Sequence, residues 1–141
     1  MKKGNRNIIY ISIAVLAILL ISSYFFFLYT PSCSSSSCFL SSLKSCSRAS
    51  YINEDDTGVW QYNIGLSFGS TCNVGVKALA IKTDVESSTA LTGKQMTCYI
   101  PRGTAVDFPE KNLSYCHGDL KESIQDLMLK RTQLYVINAL K

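Results

Sequence analysis

The longest hydrophobic run in the chain lies near its start, where residues 8–29 contain no charged side chain. A helix of about 22 residues crosses roughly 30 Å of hydrocarbon, so the run predicts a transmembrane helix. The alternative is a secretory signal peptide, which has a shorter apolar core of about 7–15 residues and a small-residue cleavage site. Here the run continues into aromatic residues that suit the membrane interface, and we predict an uncleaved signal-anchor.

Alternating hydrophobic and polar residues predict three strands of a small antiparallel sheet. The clearest alternation is in residues 59–68, where one strand face carries Trp60, Tyr62, Ile64, Leu66 and Phe68. Trp60, Tyr62, Leu66 and Phe68 are predicted to form core. Residues 73–83 and 94–100 are predicted as further strands, and the latter stops at Pro101, which has no N–H to donate to a sheet. The polar residues 84–93 between them are predicted to form a long hairpin loop.

The last hydrophobic pattern has helical spacing. Asp119 and Glu122 form a capping-box pattern, which predicts that a helix starts there. The apolar stripe that follows consists of Leu120, Ile124, Leu127, Met128, Leu134 and Tyr135. We expect this stripe to pack on the domain's own sheet. The alternatives are that it binds a partner or lies on the membrane surface.

These patterns predict an α+β protein: a single N-terminal transmembrane helix, then a small disulfide-stapled antiparallel β domain with a C-terminal amphipathic helix. We predict a basic cytoplasmic tail over residues 1–7, the transmembrane helix over 8–29, a Ser/Cys-rich stalk over 30–50 and a small α+β ectodomain over 51–141. Ten of the nineteen residues 32–50 are serine, which is typical of a tether. The three cysteines among them favour the alternative, a cysteine-pinned loop packed on the domain.

Charge sets the expected topology. Lys2, Lys3 and Arg6 precede the apolar run, whereas the first charge after it is Lys44. Positive flanks stay on the cytoplasmic side, so we predict a single-pass protein with a cytoplasmic N-terminus and an extracytoplasmic C-terminal domain. The chain has a net charge of +4, and three positive charges lie in the N-terminal tail. The near-neutral remainder lacks the basic surface that a nucleic-acid partner requires.

The cysteines all follow the apolar run, and their even number on the predicted oxidising side indicates disulfide bonds. They are Cys33, Cys38, Cys46, Cys72, Cys98 and Cys116. Six cysteines allow about 15 pairings, and the sequence does not choose among them. Zinc binding is disfavoured because the spacing lacks Cys-x-x-Cys and His117 is the one histidine. S-acylation of the first two cysteines is the alternative for an inverted topology. Asn112 begins a glycosylation sequon.

Catalytic motifs are nearly absent. Ser67 lies in a Gly-x-Ser-x-Gly pattern, but the strand alternation continues past it, which does not suit the strand-turn-helix context of a hydrolase nucleophile. The acidic residues 54–56 could bind calcium, but they lack the interleaved ligands of a loop site and are predicted as a solvated turn. No phosphate-binding glycine motif is present. We therefore expect no enzymatic activity, no cofactor, no metal and no small-molecule substrate.

Residues 93–101 read Gly-Lys-Gln-Met-Thr-Cys-Tyr-Ile-Pro. A strand that ends in Cys-Tyr-x-Pro, with aromatic-rich strands before it and a helix after it, resembles the small extracellular β-domains of the beta subunits of calcium-activated potassium channels. It is also similar to a membrane family of unknown function with a Cys-Tyr-Tyr-x-Pro pattern. The resemblance implies a small extracellular β-domain. Those proteins generally carry two membrane spans, and this chain has one apolar run of that length.

Two functions fit these expectations. The first is a non-enzymatic, single-pass structural or interaction protein whose ectodomain docks onto another protein, for example a virion membrane protein that links lipid to a protein shell. The second is an accessory subunit of a membrane channel or receptor. The expected partners are the lipid bilayer and a protein whose identity the sequence does not reveal. We expect the contact surface in residues 101–109 or on the exposed face of the last helix.

Overall fold

The computed structural model describes residues 3–67, 69–104 and 107–139. The chain divides into two compact units, Met1–Thr30 and Pro31–Lys141. The first unit contains one described helix. The second holds the sheet, the remaining helices and three disulfide bonds.

Helix α1 spans Lys3–Leu28. From Ile9 to Phe25, its large apolar side chains each leave about half or more of their surface exposed. Within the described residues, no helix combines the length and the apolar character that crossing a bilayer requires. The helix predicted over residues 8–29 is thus present, whereas its assignment as a membrane span is not supported by this finding.

The second unit is built on a five-stranded antiparallel sheet with the strands in chain order. The strands are β1 Ala49–Glu54, β2 Gly58–Ile64, β3 Thr71–Ile81, β4 Gln95–Pro101 and β5 Cys116–His117. The three strands expected from the alternation are β2, β3 and β4. The short strands β1 and β5 add one edge each. The α+β class and the antiparallel sheet are confirmed.

The two faces of the sheet differ in polarity because side chains alternate along each strand. One aligned row across the sheet is apolar, and Tyr62 and Val76 in it are buried. The next row along is polar, and it aligns Asn63, Gly75, Thr97 and His117 across four strands. The core, with the buried side chains of the helices of this unit, lies on the apolar face.

The prediction of core residues along β2 is right for Trp60 and Tyr62 and wrong for Leu66. Trp60, Tyr62 and Ile64 are buried, whereas Leu66 is 42% exposed. The reason is that β2 ends at Ile64 and the chain turns toward β3, so Leu66 has no sheet beneath it. Phe68 lies outside the described residues.

Three helices belong to the second unit: α2 Ser36–Ser45, α3 Val85–Leu91 and α4 Asp119–Ala139. Two 3-10 turns, Pro109–Lys111 and Leu113–Tyr115, precede β5. The prediction that residues 84–93 form a hairpin loop is wrong, since α3 occupies most of them. The physical reason is a helix cap, in which Asp84 Oδ1 accepts a hydrogen bond from the Ser87 N–H at 2.8 Å.

Helix α4 starts at Asp119, so the predicted helix start is correct, but Gly118 rather than Asp119 is in the capping position, since Gly118 O accepts a hydrogen bond from the Glu122 N–H at 3.3 Å. Gly118 has a φ of +122°, a backbone conformation that side chains rarely adopt. A methyl group there would also crowd Gln95 O at 3.1 Å and Met96 Cα at 3.2 Å. Glycine therefore allows α4 to begin directly against β4.

Helix α2 lies inside the serine-rich segment of residues 32–50. Phe39 and Leu43 on this helix are buried in the core. Two disulfide bonds, Cys33–Cys38 and Cys46–Cys72, hold its two ends. Of the two descriptions left open for this segment, the geometry agrees with the cysteine-pinned loop rather than the tether.

The third disulfide, Cys98–Cys116, joins β4 to β5. All six cysteines are paired, which confirms the disulfide framework. Phe39, Tyr51, Tyr62 and Phe108 form a cluster of rings whose centroids lie 5.2–6.3 Å apart. This cluster ties α2 and the segment before the 3-10 turns to the sheet, and each such ring pair adds about 0.5–1.5 kcal/mol beyond area burial.

Candidate docking surface

Helix α4 has a packed half and an exposed half. In the packed half, Leu120 and Leu127 are buried and Ile124 is partly buried against the core. Two lysines anchor it further: Lys121 Nζ donates to Cys116 O at 2.8 Å, and Lys94 Nζ donates to Ser123 Oγ at 2.6 Å. The first half of the predicted apolar stripe is therefore part of the domain's own core.

The packed half ends at contacts with α3. Arg131 Nη2 donates to Asp84 Oδ2 at 2.6 Å and to Ser87 Oγ at 2.9 Å. Hydrogen bonds from Ser87, with Arg131 nearby, lower the pKa of Asp84 below its usual value, so this carboxylate stays charged near neutral pH. Lys130 adds a 3.4 Å ion pair to Glu86. These contacts fix α4 at the level of its fourth turn.

The second half of α4 is apolar and uncovered. We call the following exposed residues the α4 apolar end: Met128, Leu129, Leu134, Tyr135, Val136 and Ile137. Because successive helical residues are about 100° apart, the four consecutive residues 134–137 point to all sides of the helix. No single contact with the domain's own sheet could cover them. Exposed apolar groups concentrated in this way are typical of interaction sites.

A small apolar cavity of about 170 Å³ lies next to this end, between α4, α3 and the sheet. Trp60, Leu91 and Leu127 contribute to its walls, and Met128 lies at both the cavity and the α4 apolar end. The Trp60 indole N–H donates to Thr57 Oγ1 at 3.2 Å, which fixes the ring. The cavity could accept an apolar side chain of a partner that covers the helix.

A larger depression of about 470 Å³ lies on the polar face of the sheet. Its lining includes amide and hydroxyl side chains, together with His117, Lys77 and Asp119. The His117 ring lies 6.2 Å from the Tyr99 ring. Among the residues that the structure describes, no group of three or more His, Cys, Asp or Glu side chains is placed to hold a metal ion.

The candidate nucleophile Ser67 has a structural role. It lies in the turn between β2 and β3, where its Oγ accepts a hydrogen bond from the Asn73 N–H at 3.2 Å. No helix follows it, since the chain enters β3 at Thr71. The strand-turn-helix context of a hydrolase serine is therefore not present around Ser67.

The acidic residues 54–56 form the turn between β1 and β2. Asp55 Oδ1 accepts hydrogen bonds from the Thr57 N–H and Oγ1 and from the Gly58 N–H, at 2.6–3.0 Å. Glu54 pairs with Lys82 at 2.7 Å. Turn and ion-pair contacts thus engage two of the three carboxylates.

Asn112 of the sequon is exposed at the start of the second 3-10 turn, where its Oδ1 accepts a hydrogen bond from the Ser114 N–H at 3.2 Å. Glycosylation there stays a prediction. In residues 101–109, the other surface expected to make contacts, Phe108 joins the aromatic cluster and Pro109 is buried. Residues 105 and 106 lie outside the described part of the chain. The described end of this segment is thus largely core.

Comparison with protein-family models, with curated proteins and with solved structures finds no match to this chain. The resemblance of residues 93–101 to channel beta subunits stays a sequence prediction. The structure places those residues in β4 with the turn before it, and Cys98 of this segment is bonded to Cys116.

Proposed function

We propose that this chain is a non-enzymatic interaction protein, held at a membrane by α1, that docks onto another protein through the α4 apolar end. The observation that carries the proposal is the exposure of residues 134–137 on all sides of the helix. Water contact with these side chains costs free energy, at roughly 25 cal/mol for each Å² of apolar surface, and a protein partner that surrounds the helix end would remove that cost.

Membrane attachment is supported by two features of the first unit. Residues 8–29 carry no charge, and the large apolar side chains from Ile9 to Phe25 are exposed on α1. The basic residues of the tail favour a cytoplasmic N-terminus and an extracytoplasmic second unit. The disulfide bonds suit an oxidising compartment.

The docking proposal is tested by photo-crosslinking in cells that express the full chain. A benzoylphenylalanine residue at Met128 should form a discrete adduct with one protein, identified by mass spectrometry. The same residue at Asn63, on the polar sheet face, should not. The double substitution Tyr135→Ser and Ile137→Ser should abolish the adduct, whereas the control substitution Gln133→Ser should not affect it.

The variants separate docking from folding because the changed side chains are exposed. The melting temperature should therefore stay within a few degrees of the parent value in each variant. An adduct that survives both changes, or that forms equally from Asn63, would contradict docking at the α4 apolar end. Adducts with lipid alone would assign that end to the membrane surface instead.

An accessory subunit of a channel or receptor is the second candidate, and the exposed side chains of α1 favour it. Such a subunit would recognise its partner through the sequence of α1. Replacing residues 8–29 by a polyleucine helix of equal length should preserve the adduct from Met128 if the second unit docks by itself. Loss of the adduct in this variant would favour the accessory subunit.

A further inference from the structure

The three disulfide bonds lie in different surroundings. Cys72, Cys98 and Cys116 are fully buried, and Cys46 is 9% exposed. Cys38 by contrast is exposed and Cys33 is half-buried. Of the three bonds, Cys33–Cys38 is thus the one whose residues are accessible to an external thiol, and accessibility is a requirement for thiol–disulfide exchange.

The position of Cys38 favours its thiolate form. It is the third residue of α2, and its N–H donates to Oγ of the capping residue Ser35 at 3.3 Å. The N-terminus of a helix carries a partial positive charge, and no acidic residue in the first turn of α2 offsets it. Helix N-termini lower the pKa of a cysteine thiol, which raises the fraction present as reactive thiolate near neutral pH and makes that thiolate a better leaving group.

Opening this bond should leave the fold in place. Cys33 and Cys38 are five residues apart, so their bond closes the smallest loop of the three and removes the least chain entropy. The far end of α2 stays tied by the disulfide of Cys46, and Phe39 stays buried. The Cys33 N–H also donates to Ser50 O at 2.7 Å, which holds the segment against β1 after reduction.

We propose that the Cys33–Cys38 pair is a thiol–disulfide exchange site that reacts with a protein dithiol, while the other two disulfides are structural. A thiolate of the partner attacks Sγ of Cys38, the Sγ–Sγ bond breaks, and Cys33 leaves as a thiolate that takes up a proton. The second partner thiolate then attacks the partner's sulfur in the mixed disulfide and releases the Cys38 thiolate. Two electrons have passed from the partner dithiol, which becomes a disulfide, to the pair, which becomes a dithiol.

The first test titrates the full chain with dithiothreitol, followed by alkylation and peptide mass spectrometry. Cys33 and Cys38 should become alkylated at a dithiothreitol concentration at least about tenfold below that needed for the other four cysteines. The near-ultraviolet circular dichroism should not change at this first step. Opening of all three bonds in one transition, or of this bond after the others, would overturn the proposal.

The second test compares the two thiols singly. The Cys33→Ser variant leaves Cys38 free, and the Cys38→Ser variant leaves Cys33 free as the matched control. The pH dependence of alkylation by iodoacetamide should give Cys38 a pKa below that of a free cysteine, about 8.5, and a faster reaction than Cys33 at pH 7. A Cys38 thiol that reacts no faster than Cys33 would rule the site out. The dithiothreitol titration uses the parent chain, so its result does not depend on whether either variant folds.

Discussion

At the scale of single residues, the least expected feature is a pair of buried polar atoms without hydrogen bonds. Neither Tyr62 Oη nor Glu110 Oε2 has a hydrogen-bond partner among the described residues. Burial raises the pKa of the Glu110 carboxyl above its usual value, and the opposing effects of the Glu110 backbone N–H and of the nearby Tyr62 hydroxyl only partly offset the rise. Burial likewise raises the pKa of the Tyr62 phenol, with the negative charges of Glu110 and Asp55 adding to the rise.

This pair predicts a pH effect that Glu110→Gln should remove. A carboxyl whose pKa is higher in the folded chain favours folding below its unfolded pKa of about 4.3, and that contribution is lost as pH rises through the folded pKa. The Gln variant should therefore melt a few degrees above the parent at pH 7 and close to it at pH 4. Thermal unfolding of both proteins, followed by circular dichroism at the two pH values, checks this.

The comparison with the Gln variant separates the effect of Glu110 from that of carboxylates whose contribution to stability changes with pH in the opposite direction. Glu54, Asp55 and Asp84 have lowered pKa values, so their contributions to stability are lost as pH falls. These groups are the same in both proteins. A difference in melting temperature that is equal at pH 4 and pH 7, or a less stable variant at pH 7, would contradict the prediction.

Residue-scale prediction from the sequence works where a pattern repeats. The alternation along β2 places Trp60, Tyr62 and Ile64 on one face because each is two residues from the next, and all three are buried. Glu110 carries no such signal, since its burial depends on Tyr62, which is 48 positions away and is brought near by the fold. The participation of Phe108 in the aromatic cluster cannot be predicted from the sequence for the same reason.

At the scale of elements, α3 shows how a short helix depends on its cap. It has seven residues, too few for a hydrophobic period to appear, and isolated helices of that length are unstable in water. Asp84 supplies the missing stabilisation by accepting hydrogen bonds from the Ser87 N–H and Oγ. The same carboxylate receives Arg131 from α4, so one side chain serves two helices.

We predict that Asp84→Ala lowers the free energy of unfolding by about 0.5–2 kcal/mol, mainly through loss of the cap. Asp84→Asn is the matched control, because its amide oxygen can still accept from the Ser87 N–H. The Asn variant should lose only the contacts of Oδ2, which are the exposed ion pair to Arg131 and the hydrogen bond from Ser87 Oγ, and should therefore be less destabilised than the Ala variant. Urea unfolding of the full chain at pH 7 measures both. An Asn variant as unstable as the Ala variant would show that charge rather than capping matters.

Elements with long periods are visible in the sequence and short ones are not. The helix from Asp119 and the three central strands appear as predicted, within a few residues. The edge strands β1 and β5 lack a signal because β1 sits beside the serine-rich segment and β5 has two residues. The apolar stripe of α4 predicts a helix. It does not predict at which residue the packing of α4 against the domain ends, because that depends on how far α3 extends along α4.

At the scale of the whole molecule, each unit has its own character. The second unit, Pro31–Lys141, contains a continuous core that includes Phe39 and Tyr62, together with all three disulfide bonds. The core therefore begins before residue 51, where composition alone suggested that the folded domain starts. A fragment that omits α2 would lack buried side chains and leave Cys72 without its partner.

We predict that residues 31–141 fold alone, with three disulfide bonds and a melting temperature within a few degrees of the full chain. The full chain should stay with the membrane fraction after a carbonate wash, whereas the fragment should be recovered in the aqueous fraction. A fragment of residues 50–141 serves as the control and should not show cooperative unfolding. Recovery of the intact full chain in the aqueous fraction would contradict the membrane proposal.

The pairing of the cysteines has a consequence for how the chain matures. Along the sequence, the first cysteine bonds to the second, the third to the fourth and the fifth to the sixth. The covalent rings therefore succeed one another without overlap or nesting. If the second unit is exported as proposed above, Cys33, Cys46 and Cys98 each meet their partner as the next thiol to emerge. Oxidation in order of arrival therefore yields the native pattern, with no need for an isomerase to shuffle mispaired bonds.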